Sequence, residues 1–171
     1  LTKSAMYLRW NTSFDNRLFA RNEFERTLAT PEQADGFAQA MRAYLPILGV
    51  TLDHGVDVAV ETSIEKLYQA LNEHFLMYPC ILGGVPSLAD YGLMGPLYAH
   101  HGRDPASSNA LKQSAPALYR WIETMQRSPI PDPEVWQVPQ EYFQVDNLPD
   151  TLIRFLKLIG ENFVPEIIGT I

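Results

Sequence analysis

The sequence predicts an all-α protein, a helical bundle over residues 1–171, and two observations carry that reading. Apolar residues recur at spacings of three and four along most of the chain, as one-sided helices require. No stretch alternates apolar and polar with period two for long enough to argue a sheet.

The elements follow in order. Phe14, Leu18, Phe24 and Leu28 lie on or near one stripe of a first helix, with Arg17, Arg21, Glu25 and Arg26 on its other faces. Thr30-Pro31-Glu32 reads as a cap with Pro in the first helical position, opening a helix over 31–45 that Pro46 and Gly49 break. Residues 50–56 are expected to loop around Asp53-His54-Gly55. Val60, Ile64, Leu67, Leu71 and Phe75 set a long helix over 57–77, with Pro79 just past its end. A helix over 88–100 comes next. Leu88, Ala89, Leu93, Met94 and Leu97 make it mostly apolar, so it is expected to be buried. The polar connection Gly102-Arg103-Asp104-Pro105 leads to a helix over 110–127, ending before Pro129. Pro129, Pro131, Pro133 and Pro139 make 128–148 an extended, proline-rich surface segment. A C-terminal helix over 149–165 carries Leu152, Phe155, Leu156, Ile159 and Phe163, and Pro165 ends or kinks it.

Composition bounds the function. A chain of 171 residues, 46% hydrophobic and 19% charged, is an ordinary globular domain able to bury a core. No apolar run approaches the ~20 residues of a membrane-spanning helix, and the first residues lack the apolar centre of a signal peptide. Starting on Leu rather than Met, the chain is expected to be a piece of a longer protein. A net charge of −7 argues against a sequence-independent nucleic-acid binder, which needs clustered Lys and Arg. One cysteine excludes an internal disulfide and a thiolate metal cluster and fits a reducing, cytoplasmic setting. Cys80, between Pro79 and Ile81, reads as a small buried hydrophobe.

Ser87-Leu88-Ala89-Asp90 reads as a structural capping box. The Ser87 hydroxyl is expected to accept from the Asp90 N–H, and the Asp90 carboxylate to reach back to the Ser87 N–H. Gly83-Gly84 reads as a helix end and tight turn rather than a phosphate cradle. His100 and His101 are adjacent and so diverge by about a hundred degrees on a helix. They are expected to meet exposed carbonyls near the helix end, and no metal site is expected. Neither a nucleophile elbow nor a dinucleotide or phosphate loop occurs, so no catalytic residue is assigned. One constellation has ligand-binding chemistry: Tyr7, Trp10, Phe14 and Arg17, with Arg9 among them, could hold an apolar anion by stacking and paired charge. The competing reading packs Trp10 and Phe14 into the core.

The run Leu82-Gly83-Gly84, then Pro86-Ser87-Leu88-Ala89-Asp90, resembles the capped helix of the glutathione S-transferase C-terminal domain. Pro96-Leu97-Tyr98-Ala99-His100 and the segment from Ala115 to Met125 look like the next landmarks of that family, so the likeness covers residues 74–128. The resemblance implies a single all-α domain whose parent uses glutathione as co-substrate. It implies that this domain lines the pocket for a small apolar electrophile, with Tyr98 a further pocket residue, and contributes contacts to a homodimer. It also implies an N-terminal thioredoxin-like domain bearing the thiolate-stabilising residue, without which these residues alone are expected not to conjugate glutathione. A non-catalytic adaptor of the same fold is the alternative, and a free-standing helical ligand-binding protein a third reading.

Overall fold

A computed structural model describes residues 1–49, 56–127 and 138–169. Among these residues it has eight α-helices and no strand, so the all-α class holds. They are α1 (Thr2–Tyr7), α2 (Phe14–Glu25), α3 (Pro31–Tyr44), α4 (Val56–Phe75), α5 (Leu88–Pro96), α6 (Pro105–Ser114), α7 (Pro116–Met125) and α8 (Asp150–Ile168). Short π-helical turns over Leu8–Thr12 and Leu97–His101 continue α1 and α5, and a 3-10 turn over Leu45–Leu48 continues α3. Residues 50–55 of the expected loop and 128–137 of the proline-rich segment lie outside the described residues. The chain forms two compact units, Leu1–Glu65 with Met94–Gln113, and Lys66–Leu93 with Ser114–Ile171.

In the first unit Ser13 caps α2, its hydroxyl accepting from the Asn16 N–H at 3.3 Å. The predicted stripe of α2 has the right period and the wrong phase. Phe14 is 67% exposed and Leu18 is exposed too, while Asn16 and Ala20 are buried. The inward line is Asn16, Ala20 and the partly buried Phe24, four residues apart. A polar residue can lie on that line because all its hydrogen-bonding groups are used. The Asn16 amide donates to the Leu8 carbonyl and the Ser107 hydroxyl, and its oxygen accepts from the Ala106 N–H at 2.8 Å. Tyr7, Trp10, Ala20 and Leu45 form the core, with Met6, Leu8, Phe24, Ala38, Met41 and Val60 packed against it. Thr30 caps α3 as expected, accepting from the Gln33 N–H. Gly49 then takes the left-handed conformation, φ 72°, that lets the chain turn away after Leu48.

The single helix predicted over 110–127 is two helices, α6 and α7, each with proline in its first turn. Neither is capped by the residue before it. Asp104 spends its carboxylate on Arg9, and Ala115 has nothing to offer. Asparagines from other helices take over. Asn16 accepts from Ala106 at the start of α6, and in the second unit Asn72 of α4 accepts from Ala117 at the start of α7, both at 2.8 Å.

The second unit buries Tyr68, Leu71 and Phe75 of α4, Leu118, Trp121 and Ile122 of α7, and Leu152 and Phe155 of α8. The Phe75 and Trp121 rings stack at 4.5 Å. The glycine pair does more than end a helix. Cys80 and Gly83 exchange backbone hydrogen bonds at 3.2 and 3.3 Å across a tight turn, with Gly83 at φ 136°. The described end of the proline-rich segment then lies against it. The Gly84 N–H donates to the Glu141 carbonyl at 2.9 Å, and the Phe143 N–H to the Leu82 carbonyl at 2.8 Å. A Cβ on Gly84 would collide with the Pro139 carbonyl, and one on Gly83 with the Glu141 carbonyl.

Two further expectations are corrected. Within α5 only Asp90 is buried. Leu88 is 89% exposed, and Leu93 and Met94 are half-buried, so the helix is held by its carboxylate more than by its leucines. Helix α8 runs past Pro165 to Ile168. Proline there removes one N–H, which an exposed last turn tolerates.

Replacing Gly84 with Ala should lower stability by about 1–3 kcal/mol, because the obstacle is backbone and cannot rotate away. Asn72→Ala should cost about 1 kcal/mol through the lost cap of α7. Urea denaturation midpoints measure both.

Candidate functional site

Asp90 has no solvent exposure, and both its oxygens are occupied. One oxygen accepts from the Ile81 N–H at 2.8 Å. The other accepts from the Ser87 N–H at 2.8 Å and from the Ser87 hydroxyl at 2.7 Å. The reach-back half of the predicted capping box is present. Its forward half is not, because the Asp90 N–H donates to the Ser87 backbone carbonyl at 3.1 Å. Asp is one methylene shorter than the usual Glu, which brings the carboxylate against the serine. A hydroxyl gains more by donating to a charge than by accepting from an amide. With three donors fixed on it and no solvent exposure, Asp90 has the geometry of an anchor.

Cys80 lies one residue before Ile81. Burial, with the nearby charge of Asp90, pushes its thiol up to about 12, so it is a buried thiol and not a nucleophile. His74, on the last turn of α4, is almost fully buried. Its Nε2 lies 3.1 Å from the Cys80 carbonyl and its Nδ1 2.9 Å from the Thr151 hydroxyl. A carbonyl can only accept, so Nε2 carries the proton and Nδ1 accepts from Thr151. Burial lowers the His74 pKa, against the opposing pull of its Cys80 bond and of Asp90. Tyr78 and Phe143 close over the ring, their centroids 5.2 and 6.3 Å away.

In the first unit the residues predicted to hold a ligand separate. Tyr7 and Trp10 are core residues, 3% and 1% exposed, and Trp10 stacks on Phe24 at 6.3 Å. The Trp10 Nε1–H has no hydrogen-bond partner. Phe14 faces outward, and Arg17 donates to the Asn11 carbonyl at 3.3 Å. Tyr98, in the π-helical turn after α5, is 43% exposed.

Arg9 does something the sequence did not signal, pairing with Asp104 across 95 positions. Its Nε and one Nη grip the two carboxylate oxygens at 2.8 and 2.6 Å, and the same Nη reaches the Ala99 carbonyl at 2.9 Å. Asp104 is 1% exposed, and burial pushes its carboxyl up against the pull of Arg9. The expected meeting of histidines with helix-end carbonyls takes another form. His101 Nε2 lies 3.4 Å from the carbonyl of Leu1, and His100 Nδ1 is buried without a partner.

Two recesses are formed by described residues of the second unit. One, about 140 Å³, lies within the loop from Val138 to Asn147. The other, about 350 Å³, lies between α4 and α8, lined by Lys66, Gln69, Glu73, Arg154, Lys157 and Glu161 among others. Neither is lined by the predicted ligand residues. Among the described residues no group of three or more His, Cys, Asp or Glu could hold a metal ion. No described helix is long and apolar enough to cross a membrane.

An all-helical fold with a buried Ser–Asp anchor at the start of a helix following a glycine turn is the arrangement against which the comparisons are set. Residues 52–129 match the family described as glutathione S-transferase, C-terminal domain. The resemblance over residues 74–128 is thereby borne out. No curated protein and no solved structure matches the chain.

Asp90→Ala should cost about 3 kcal/mol or more, above an ordinary lost cap, since three buried donors lose their acceptor together. Chemical denaturation at pH 7 tests it. The buried histidines set a pH dependence. Unfolded, an imidazole binds its proton near 6.5; folded, burial holds both His100 and His101 to about 4. The unfolded chain therefore binds more protons between those values, and stability falls as pH drops from 6.5 towards 4. His101 contributes up to about 1.4 kcal/mol per pH unit, and the half-buried His100 less, through solvent screening. Denaturation midpoints at pH 7, 5.5 and 4.5 should show this decline, flattened in His101→Asn.

Proposed function

We propose that this chain is the helical part of a cytoplasmic glutathione S-transferase-like protein. It supplies the pocket for a small apolar electrophile and contacts for a homodimer, to a parent that conjugates or reduces such compounds with glutathione. The family match over residues 52–129 carries this reading. In it, an N-terminal thioredoxin-like domain holds glutathione and stabilises its thiolate, which attacks electrophiles far better than the thiol does. In this reading Phe14 and Tyr98, both exposed, are the aromatic side chains that would meet an apolar compound, and Arg17 the positive charge near it.

A second reading is a non-catalytic adaptor of the same fold. The exposed apolar residues of α8, Ile159 and Phe163 among them, favour it. The coding sequence upstream of Leu1 separates the two. A first strand bearing a thiol-stabilising Tyr, Ser or Cys supports the enzyme, and its absence the adaptor.

Isothermal titration of the 171-residue chain should show no tight glutathione binding, and an apolar dye should bind several-fold more weakly to Phe14→Ser. Tight binding of glutathione would overturn the division of labour proposed here.

A further inference from the structure

Helix α8 is fastened at its start, over residues 151–155. Leu152 and Phe155 are buried, the Thr151 hydroxyl bonds His74, and Arg154 pairs with Glu73 at 2.7 Å. From Leu156 onward none of its described side chains is buried. An element held over so short a stretch opens before the better-packed parts of its unit. His74 stands against that stretch and ties others to it. Its Nε2–H donates to the Cys80 carbonyl and its Nδ1 accepts from Thr151. The rings of Phe75, Tyr78 and Phe143 pack on the imidazole at 5.5, 5.2 and 6.3 Å. Tyr78 and Phe143 also meet each other at 4.8 Å, and His74 is left 1% exposed. One side chain thus joins the end of α4, the turn at Cys80, the 139–143 segment and the first turn of α8.

We propose that His74 is an acid-sensitive latch: a proton on its Nδ1 frees the first turn of α8 from α4, while α7 stays in place. The neutral ring has one donor and one acceptor, and each faces its complement. Protonation turns the Nδ1 acceptor into a second donor, so the Thr151 O–H can no longer donate to it. It also puts a cation where rings, a carbonyl and a hydroxyl are the neighbours. The charged groups around it leave that cation unpaired. Asp90 of α5 favours it through its charge, but the donors held by that carboxylate are those of Ile81 and Ser87. Glu73 of α4 and Arg154 of α8 pair with each other, and Cys80 is a protonated thiol. Glu141 and Tyr142 beside Phe143, and Asp150 beside Thr151, are exposed. Burial outweighs the pull of Asp90 and holds the ring below the ordinary 6.5. The opened form therefore binds the proton more readily than the closed one, and the latch loosens as pH falls below 6.5.

Amide hydrogen exchange of the 171-residue chain, corrected for the intrinsic pH dependence of exchange, tests this. Between pH 6.5 and 5 the amides at the start of α8 should open more often relative to those of α7, by up to about tenfold per pH unit. His74→Gln has no proton to gain in this range and should make that ratio independent of pH. His101→Asn, in the other compact unit, should leave the ratio as it is in the parent chain. Circular dichroism shows whether each variant is folded. If His74→Gln is not, the parent chain decides: the ring nitrogen resonances of His74 should titrate together with the loss of protection in α8. A ratio unmoved by pH would overturn the inference, as would one that moves equally in His74→Gln. So would a His74 ring that gains its proton while α8 keeps its protection.

Discussion

A carboxylate without solvent must be paired or it costs several kcal/mol, and Asp90 meets that constraint with three donors drawn from two stretches of chain. What surrounds it follows from this choice. Holding the Ile81 N–H fixes the turn in which Cys80 and Gly83 exchange hydrogen bonds. That turn presents the Cys80 carbonyl to His74, and with it selects the histidine tautomer that can accept from Thr151. The first turn of α8 is thus tied to the end of α4 through groups arranged around one anion. The apolar positions of α5 do not need to be inside for this to work, and several are not.

A second constraint operates at helix starts. The first amides of a helix need acceptors, and proline in the first turn removes only one of them. Both α6 and α7 begin this way, and each draws its acceptor from an asparagine on another helix. Capping and tertiary packing become one interaction: the asparagine that satisfies the new helix also fixes which helix lies beside it. Asp104 shows the complementary case. It stands where a cap belongs, yet its carboxylate is committed to Arg9, and that bidentate pair joins the segment after α1 to the one before α6.

Local signals in the sequence were read correctly where the physics is local. Thr30-Pro31 marks the start of α3, because the cap and its donor are three residues apart. The Ser–Asp motif located the start of α5 and half of its hydrogen bonding for the same reason. Period alone did not fix phase. Phe14 and Leu18 have the more apolar side chains, but the inward line of α2 is set by Asn16, whose value lies in partners 91 residues away. The division between α6 and α7 was hidden likewise, since Ala115 gives no cap signal and Asn72 is distant in sequence. Of the ligand residues, Trp10 is inside, as the packing alternative had it, and Tyr7 is inside with it, while Phe14 is outside the core where that alternative placed it.

The contact between Gly83-Gly84 and residues 139–143 has a topological meaning. Its hydrogen bonds at Leu82 and Gly84 run between backbone atoms on both sides, so it closes the intervening chain, roughly sixty residues holding α5, α6 and α7, into a ring. Closing a ring of that size costs little more entropy than closing one half as long, about 0.6 kcal/mol. The ring is therefore free to lengthen or shorten between its ends, while a side chain at either glycine is opposed by backbone atoms.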